Sequence, residues 1–219
     1  MMKQKMKKMA RKNQSRTKKN TKKELTLNDK LVIYLNDALA VENAAIPRLQ
    51  QRIKEASLPE AKEQLKHHLE ETKEQQDRLE QLISKLGGKA TREAARLPIP
   101  TLPKGLANAM KQSITEAEQQ LIAAKEDAII ENAEIVMYDA LSQLAQIMGV
   151  GDAVPVLTQN LQEEREMADW LRANMPAMLT QLYPEIQSSV TTTSSEQAGG
   201  GGDEEQVKAT GATTTTAEA

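Results

Sequence analysis

The sequence predicts an all-α protein, an antiparallel four-helix bundle of two helical hairpins joined by a long crossover. Three observations predict this class. Strong helix formers dominate the 219 residues, whereas only 2% of the residues are aromatic. Apolar residues recur at intervals of three and four, the spacing of one helix face. Two short connections, near residues 57 and 150, flank one long proline-containing segment, as in bundles with a single crossover.

The first predicted hairpin covers residues 28–86. Helix one is predicted over residues 28–56, and Pro47 lies inside it. Because an internal proline removes a hydrogen bond and usually kinks a helix, we expect a local distortion there. Ser57 followed by Pro59 predicts the start of helix two, with the serine as its N-cap. The glycine pair at 87–88 predicts the end of helix two.

The second predicted hairpin follows an irregular crossover over residues 89–105, which holds three prolines and one glycine. Helix three is predicted over residues 106–148, with a break near residues 113–115. Helix four is predicted to begin after Gly151 and to fade near Pro176, because proline is a poor helix former.

Charge is distributed in blocks along the chain. Residues 1–23 carry eleven of the 29 Lys and Arg residues and no acidic residue, which leaves 18 basic against 31 acidic groups, a net charge of −13, elsewhere. From about residue 188 the chain is small and polar, with four consecutive glycines. These compositions predict a basic disordered N-terminal tail (1–25), one folded domain (26–187) and a low-complexity disordered C-terminal tail (188–219).

Composition also excludes several kinds of site. The chain has no Cys, which rules out disulfides, thiolate nucleophiles and iron–sulfur clusters. It has only two histidines, His67 and His68. Any metal site must therefore consist mostly of carboxylates. No run of eighteen apolar residues occurs, so we expect no membrane-spanning helix and a cytoplasmic protein.

Two short internal similarities indicate that one hairpin is a duplicate of the other. The segment 41–46 in helix one resembles segment 130–135 in helix three, at an offset of 89 residues. In the second pair, His68-Leu69-Glu70-Glu71 overlies Asn160-Leu161-Gln162-Glu163 at an offset of 92 residues. Each match is short, but the two pairs support the same duplication.

The duplication places one glutamate of each helix at a similar depth. With about 1.5 Å of rise per residue, Glu42, Glu71, Glu134 and Glu163 all lie roughly 20 Å from the nearer hairpin turn. This arrangement is typical of bundles that hold two iron or two manganese ions between carboxylates. Two such cations would neutralise four buried carboxylates. The alternative is that these glutamates are solvated, as most glutamates in Glu-rich helices are.

The stretch His68-Leu69-Glu70-Glu71-Thr72, together with Glu131, Glu134 and Tyr138 and with the Glu163-Glu164 pair, resembles the YciE/YciF family of ferritin-like bacterial stress proteins. The resemblance covers about residues 28–175. It implies a four-helix bundle that is often dimeric and is linked to stress responses. It also implies that the paired glutamates of helix three correspond to those of rubrerythrin-like proteins.

The sequence departs from ferritins and rubrerythrins at the Glu-x-x-His motif. Three residues after Glu71 stands Glu74, and three residues after Glu163 stands Glu166. His68 is the candidate nitrogen ligand instead, although a lone histidine on a helix is more often a structural hydrogen-bonding group. The candidate metal ligands are Glu42, His68, Glu71, Glu131, Glu134 and Glu163, and the metal is expected to be iron or manganese.

Three functions are compatible with these observations, and catalysis is left open. The first is a di-metal protein of the stress response that handles iron or reactive oxygen. The second is a non-enzymatic stress or scaffold protein whose metal site is degenerate. The third concerns residues 3–23, whose cations would bind nucleic acid through phosphates without sequence preference. The family resemblance further implies a homodimer, and no membrane partner is expected.

Overall fold

A computed structural model of the protein describes residues 24–197, with the side chains of residues 112 and 190–197 excepted. Residues 24–197 contain no strand, which confirms the all-α class. No helix of this described part combines the length and apolarity needed to cross a membrane. A three-residue 3-10 turn, Gly151–Ala153, precedes the last of five helices, which are α1 Leu27–Glu55, α2 Pro59–Lys85, α3 Lys104–Ser113, α4 Glu116–Ile147 and α5 Val154–Gln197.

The helices form the two predicted hairpins. Helix α1 packs along α2, and α4 packs along α5, each pair through a short connection. Contacts of α1 with α4 and of α2 with α5 then bring the hairpins together. Helix α3 lies within the crossover, so the bundle itself consists of α1, α2, α4 and α5.

The helix starts follow local capping chemistry. Thr26 caps α1, and its hydroxyl accepts a hydrogen bond from Asp29 N while the Asp29 carboxylate accepts one from Thr26 N. The prediction that Ser57 caps α2 is wrong. Pro59 occupies the first turn of α2, and the cap is Leu58, which provides no side-chain hydrogen bond. Because proline has no N–H, the first turn of α2 has one donor fewer to satisfy.

The predicted break in helix three is confirmed. Helix α3 ends at Ser113, and Ile114 adopts an extended conformation with φ −84° and ψ 130°. Thr115 then caps α4 in a second capping box, in which its hydroxyl accepts from Glu118 N at 3.1 Å and its own N–H donates to Glu118 at 2.8 Å. The restart of the helix is therefore encoded by a Thr-x-x-Glu sequence.

The predicted end of helix four near Pro176 is wrong, because α5 runs through this proline and through Pro184 to Gln197. Tertiary packing offsets the lost hydrogen bonds, since Met178 and Leu182 beyond the first proline are buried. Helix α5 thus continues ten residues beyond the boundary predicted at 187. Residues 1–23 and 198–219 of the predicted tails lie outside the described part, so the domain limits stay a prediction.

The core has two apolar clusters with a polar layer between them. In each bundle helix the chain passes from one cluster through polar residues to the other, as between Leu39 and Leu49 in α1. The first cluster contains Leu31, Leu35, Leu39, Leu79, Ile83, Tyr138, Leu141 and Leu157, and the second contains Leu49, Leu65, Leu69, Met167 and Leu171.

We expect Gly88→Ala to destabilise the protein. A Cβ at residue 88 would lie 2.5 Å from Cγ1 of Val32, a β-branched side chain with little freedom to move. Overpacking of this kind costs about 1–3 kcal/mol. The control is Gly105→Ala in α3, where a Cβ meets no atom within 4 Å. Urea denaturation should show a lower midpoint for Gly88→Ala alone, and equal midpoints for the two variants would contradict this packing.

Candidate metal centre

The polar layer between the two apolar clusters is almost free of solvent. Its charged members Glu42, Glu131, Glu134, Glu164 and His68 have exposed fractions of 1–3%. All four bundle helices contribute to the layer, because each helical stripe is interrupted by polar residues at this depth. The full set is Glu42 from α1, His68, Thr72 and Gln75 from α2, Glu131 and Glu134 from α4, and Asn160 and Glu164 from α5.

His68 lies at the centre of this layer. Its Nε2 is 3.1 Å from Glu131 Oε2 and 3.7 Å from Glu164 Oε2. Its other ring nitrogen, Nδ1, is 3.2 Å from Glu71 Oε2 at the edge of the layer. His68, Glu131 and Glu164 each offer one ligand atom, and these atoms lie within 4.8 Å of one another. The three residues can therefore surround a single cation.

The remaining carboxylates of the layer are poorly supplied with donors. Tyr138 donates its hydroxyl hydrogen to Glu42 Oε1. In contrast, no protein donor in the described part of the chain reaches Glu134 Oε1 or either oxygen of Glu164. A buried polar atom without a partner costs about 1–3 kcal/mol, and more if it is charged. Protonation of these oxygens, or a cation beside them, would reduce this cost.

Burial and mutual repulsion raise the pKa of three of these carboxyl groups. Burial raises the pKa of Glu42 to about 7, although the Tyr138 hydrogen bond acts in the opposite direction. Burial, and then the charge of Glu42, raises the pKa of Glu134 well above its usual value. Burial, and then the charge of Glu134, does the same to the pKa of Glu164. The raised pKa values favour the protonated form of all three groups in the absence of metal.

Glu131 and His68 form the opposite case, a buried ion pair. Burial alone would raise the pKa of Glu131, but the adjacent His68 lowers it below its usual value. Burial alone would lower the pKa of His68, but Glu131 raises it well above its usual value. The raised pKa favours the imidazolium form of His68, and Nε2 would have to lose its proton before it could bind a cation.

The structure brings most of the sequence-predicted residues to this site. Glu42, His68, Glu131 and Glu134 lie in the buried layer. Glu71 lies at its edge, with 17% of its side chain exposed.

Glu163 lies outside the cluster. Arg78 forms an ion pair with its carboxylate. Gln75 and Gln159 also donate to this carboxylate, at 3.0 and 3.1 Å. The buried carboxylate of α5 is instead Glu164, the next residue, which is 1% exposed. An arginine compensates the charge of Glu163, whereas no arginine pairs with Glu164 among the described residues.

The sequence analysis did not include Glu164 among the candidate ligands, because the repeat was aligned by residue type and not by the helix face on which each residue lies. His68 and Asn160 are both buried, which agrees with the offset of 92 residues. At the same offset, however, the buried Thr72 corresponds to Glu164. The apolar periodicity of α5 could have indicated Glu164. This residue lies three residues after Leu161, three before Met167 and seven before Leu171, all of which are buried.

The same shift changes the comparison with the Glu-x-x-His motif. At the positions that the corrected alignment places in the layer, the buried residues three apart are Thr72 and Gln75 on α2 and Glu164 and Met167 on α5. Only α5 keeps the glutamate, and neither helix has a histidine at the second position. His68 lies one helical turn before Thr72 and is the residue that would provide a nitrogen ligand from α2.

Asp127 is a further buried carboxylate outside the polar layer, and two arginines compensate its charge. Its Oδ1 accepts from Arg48 Nη2 at 2.6 Å, and its Oδ2 accepts from Arg52 Nε at 2.8 Å. Two guanidinium groups leave this carboxylate without need of a metal. In contrast, no arginine forms an ion pair with Glu134 or Glu164 among the described residues.

We expect Tyr138→Phe to destabilise the protein. The change removes the only side-chain hydrogen bond donated to Glu42 among the described residues and leaves Oε1 buried without a partner. The expected cost is about 1–3 kcal/mol, and the pKa of Glu42 should rise above its value of about 7. Urea denaturation measures the cost. Tyr183→Phe, at a position 58% exposed, is the control and should have no measurable effect.

A family model described as a domain of unknown function (DUF892) matches residues 26–183. The chain belongs to the DUF892 family. The match spans more than half of the chain and includes every candidate ligand named above. The resemblance to YciE/YciF proteins is confirmed by this assignment and by the solved structures to which the DUF892 chain is similar.

Three solved structures share the fold of this DUF892 protein. A Xanthomonas campestris pv. campestris protein is 24% identical, with a TM-score of 0.60, over 74% of this chain and 99% of that chain. YcfI from Rhodopseudomonas palustris is 26% identical, with a TM-score of 0.56, over 69% and 96% of the two chains. The E. coli stress protein YciF is 19% identical, with a TM-score of 0.53, over 72% and 99%.

Proposed function

We propose that this DUF892 protein is a ferritin-like protein of the bacterial stress response that binds iron or manganese in its polar layer. The primary position is formed by His68, Glu131 and Glu164. The observation that supports the proposal best is that Glu164 is buried and no donor reaches either of its oxygens within the described residues. A cation would supply the charge that the protein itself does not.

The donor set suits such an ion. Carboxylates and imidazole bind manganese and iron, whereas the chain offers no thiolate that would favour softer metals. The second ring nitrogen of His68 is held by Glu71 at 3.2 Å. A carboxylate that holds the distal nitrogen of a histidine is the usual support of metal-binding imidazoles, because it fixes the tautomer and the ring orientation. Glu71 would thus orient His68.

A second position is proposed beside the first. Glu42 and Glu134 are buried, and the charge of each disfavours ionisation of the other or of Glu164. Such mutual repulsion is relieved when cations lie between the carboxylates. Glu42 and Glu134 would hold the second ion, and the Tyr138 hydroxyl would keep the Glu42 carboxylate oriented. Two ions per chain would correspond to a di-metal centre.

Bound iron or manganese would supply one-electron chemistry toward oxygen or peroxide. The chain contributes a buried polar layer between two apolar clusters and a tyrosine hydroxyl that donates to Glu42. It also contributes a fixed imidazole. Handling of iron or reactive oxygen in the cytoplasm is therefore the activity that we propose for this site.

The alternative is a stress or scaffold protein that needs no metal. Protonated His68 contacts Glu71 and Glu131, so one imidazolium would compensate two carboxylates. Protons on Glu42, Glu134 and Glu164 would neutralise the rest. In this state the layer would contribute to the fold and to nothing else.

Equilibrium dialysis against Fe²⁺ or Mn²⁺, followed by elemental analysis, separates the two functions. We expect one to two ions per chain in the wild type and none in Glu131→Ala/Glu164→Ala. Glu163→Ala is the matched control and should retain the metal, because its carboxylate is paired with Arg78. Wild-type protein that stays folded and holds no ion after dialysis would overturn the metal function in favour of the scaffold.

We propose further that residues 3–23 bind nucleic acid phosphates and that the chain forms a homodimer. Eleven cations without an acidic residue favour the first. A gel shift at low salt that is lost on deletion of residues 1–23 tests nucleic-acid binding, and the absence of any shift would overturn it.

Exposed Leu27, Ile33 and Tyr34 on α1 favour the homodimer. Sedimentation equilibrium tests the dimer, and a monomer at all concentrations would overturn that proposal.

A further inference from the structure

The proposed metal position is closed to solvent, so an ion has to enter past the side chains that surround it. His68, Glu131 and Glu164 have exposed fractions of 1–3%. Two partly exposed carboxylates lie on the flanks of the polar layer. They are Glu71, 17% exposed, and Glu163, 14% exposed. Each marks a route by which a cation could approach the layer.

On the Glu163 flank, a fixed cation already occupies the carboxylate. Arg78 forms an ion pair with Glu163, and its Nε donates to Asn160 Oδ1 at 2.8 Å. The guanidinium cannot lose its proton at physiological pH, so a positive charge always stands over this flank. A divalent cation that approached here would have to displace a fixed cation from its carboxylate.

On the other flank, no lysine or arginine in the described part of the chain occupies the Glu71 carboxylate. Within the described residues, the ion-pair partners of Glu71 are two imidazoles and no lysine or arginine. His67 is 66% exposed, and its Nδ1 lies 3.3 Å from Glu71 Oε2. The same oxygen lies 3.2 Å from Nδ1 of the buried His68. An exposed imidazole and a carboxylate therefore lead directly from solvent to His68.

We propose that His67 and Glu71 form an entry site for divalent transition-metal ions, from which the ion passes to the buried position. This inference rests on the proposed metal function and deepens it. An imidazole and a carboxylate one helical turn apart suit Fe²⁺, Mn²⁺ or Co²⁺, whereas Mg²⁺ prefers oxygen ligands and retains its water. The site needs only a transient ion, so two protein ligands with water are sufficient.

The test is the rate at which metal-free protein takes up Co²⁺. Trp170 is the single tryptophan, and it lies six residues from Glu164 on α5, about 9 Å along the helix. Bound Co²⁺ should quench its fluorescence, so stopped-flow mixing gives the association rate constant and a titration gives the stoichiometry. Electrostatic attraction at an entrance raises association rates by about 10–10³-fold.

We expect His67→Ala to lower the association rate constant at least about tenfold with unchanged stoichiometry. Glu71→Gln should lower the association rate constant as well, and it should also raise the dissociation rate because it frees the His68 ring. Glu70→Gln is the matched control, because Glu70 is an exposed neighbouring carboxylate that pairs with Lys73 at 2.6 Å. It should load at the wild-type rate. A residue that only orients His68 would instead raise the dissociation rate, since the ion would be held less firmly.

The two failures are distinguishable. Wild-type association rates with full occupancy in His67→Ala and Glu71→Gln would overturn the entry site and leave the buried position standing. Wild-type protein in which saturating Co²⁺ neither quenches Trp170 nor binds on dialysis would overturn the buried position, and the entry site with it.

Discussion

The metal-free protein is expected to lose stability as the pH rises from 4.5 toward about 7, the interval between the unfolded and folded pKa of Glu42. Most proteins behave in the opposite way over the acid range, because their paired carboxylates have lowered pKa values. Here the folded state binds more protons than the unfolded state, since burial raises the pKa of Glu42, Glu134 and Glu164.

The direction follows from proton linkage. A group whose pKa is raised on folding contributes its full stabilisation below the unfolded pKa and loses it as the pH rises through the folded pKa. The raised pKa of His68 extends the loss above 6.5. The lowered pKa of Glu131 acts in the opposite sense, but only below 4.5. For Glu42 alone the loss is on the order of 3 kcal/mol, a large part of the 5–15 kcal/mol that is typical of a domain.

Metal should reverse this dependence. An ion competes with protons for the same carboxylates and for His68, so its affinity rises with pH. An ion present at 100 times its dissociation constant adds about 2.7 kcal/mol to the free energy of unfolding. Saturated with Mn²⁺, the protein should therefore be more stable at pH 7.5 than at pH 5.5.

Urea denaturation at these two pH values, with chelator or with Mn²⁺, measures both slopes. Glu42→Gln is the control variant and should flatten the slope of the metal-free protein, because the amide does not titrate. Metal-free protein that gains stability over this interval would show that the buried carboxyl groups are compensated by something other than protons.

The second large effect is expected from two neighbouring glutamates of α5. Glu164→Gln should stabilise the metal-free protein at pH 7.5 by about 1–3 kcal/mol, because the carboxyl group must take up a proton on folding or stay charged beside Glu134 and Glu131, whereas the amide does neither. The same change should lower the affinity for Mn²⁺ roughly 100-fold or more, since it removes a ligand. Stability and metal affinity thus move in opposite directions.

Glu163→Gln should show the reverse pattern. It removes the ion pair with Arg78, at a position where both side chains are about 15% exposed, so a loss of stability of about 1 kcal/mol is expected. Its Mn²⁺ affinity should be that of the wild type. Urea denaturation and calorimetric titration of both variants check the pair. A Glu163→Gln variant that loses metal while Glu164→Gln retains it would place the site on the other face of α5.

The sequence was sufficient for the fold because the apolar positions of the bundle helices recur at regular helical spacing. The sequence also indicated that Glu42, Glu131 and Glu134 interrupt such apolar stripes, and all three are buried in the structure. Local signals failed at Pro176, where the buried Met178 and Leu182 hold the helix together through contacts that are distant in sequence.

The choice between Glu163 and Glu164 could not be made from residue types, since both are glutamates. It depends on which of them faces Arg78, 85 residues away, and which faces the interior. The contact between His68 and Glu131 likewise joins two helices of different hairpins. Such pairings follow from the packing of the bundle, which residue spacing within one helix does not determine.

Diffraction from crystals grown with Mn²⁺, with anomalous differences recorded at the manganese edge, tests the central claim most directly. We predict an anomalous peak bonded to His68 Nε2 and to carboxylate oxygens of Glu131 and Glu164, with Glu71 on the other ring nitrogen. A polar layer without any peak, in which His68 keeps its ion pairs with Glu71, Glu131 and Glu164, would contradict the metal centre and favour the scaffold.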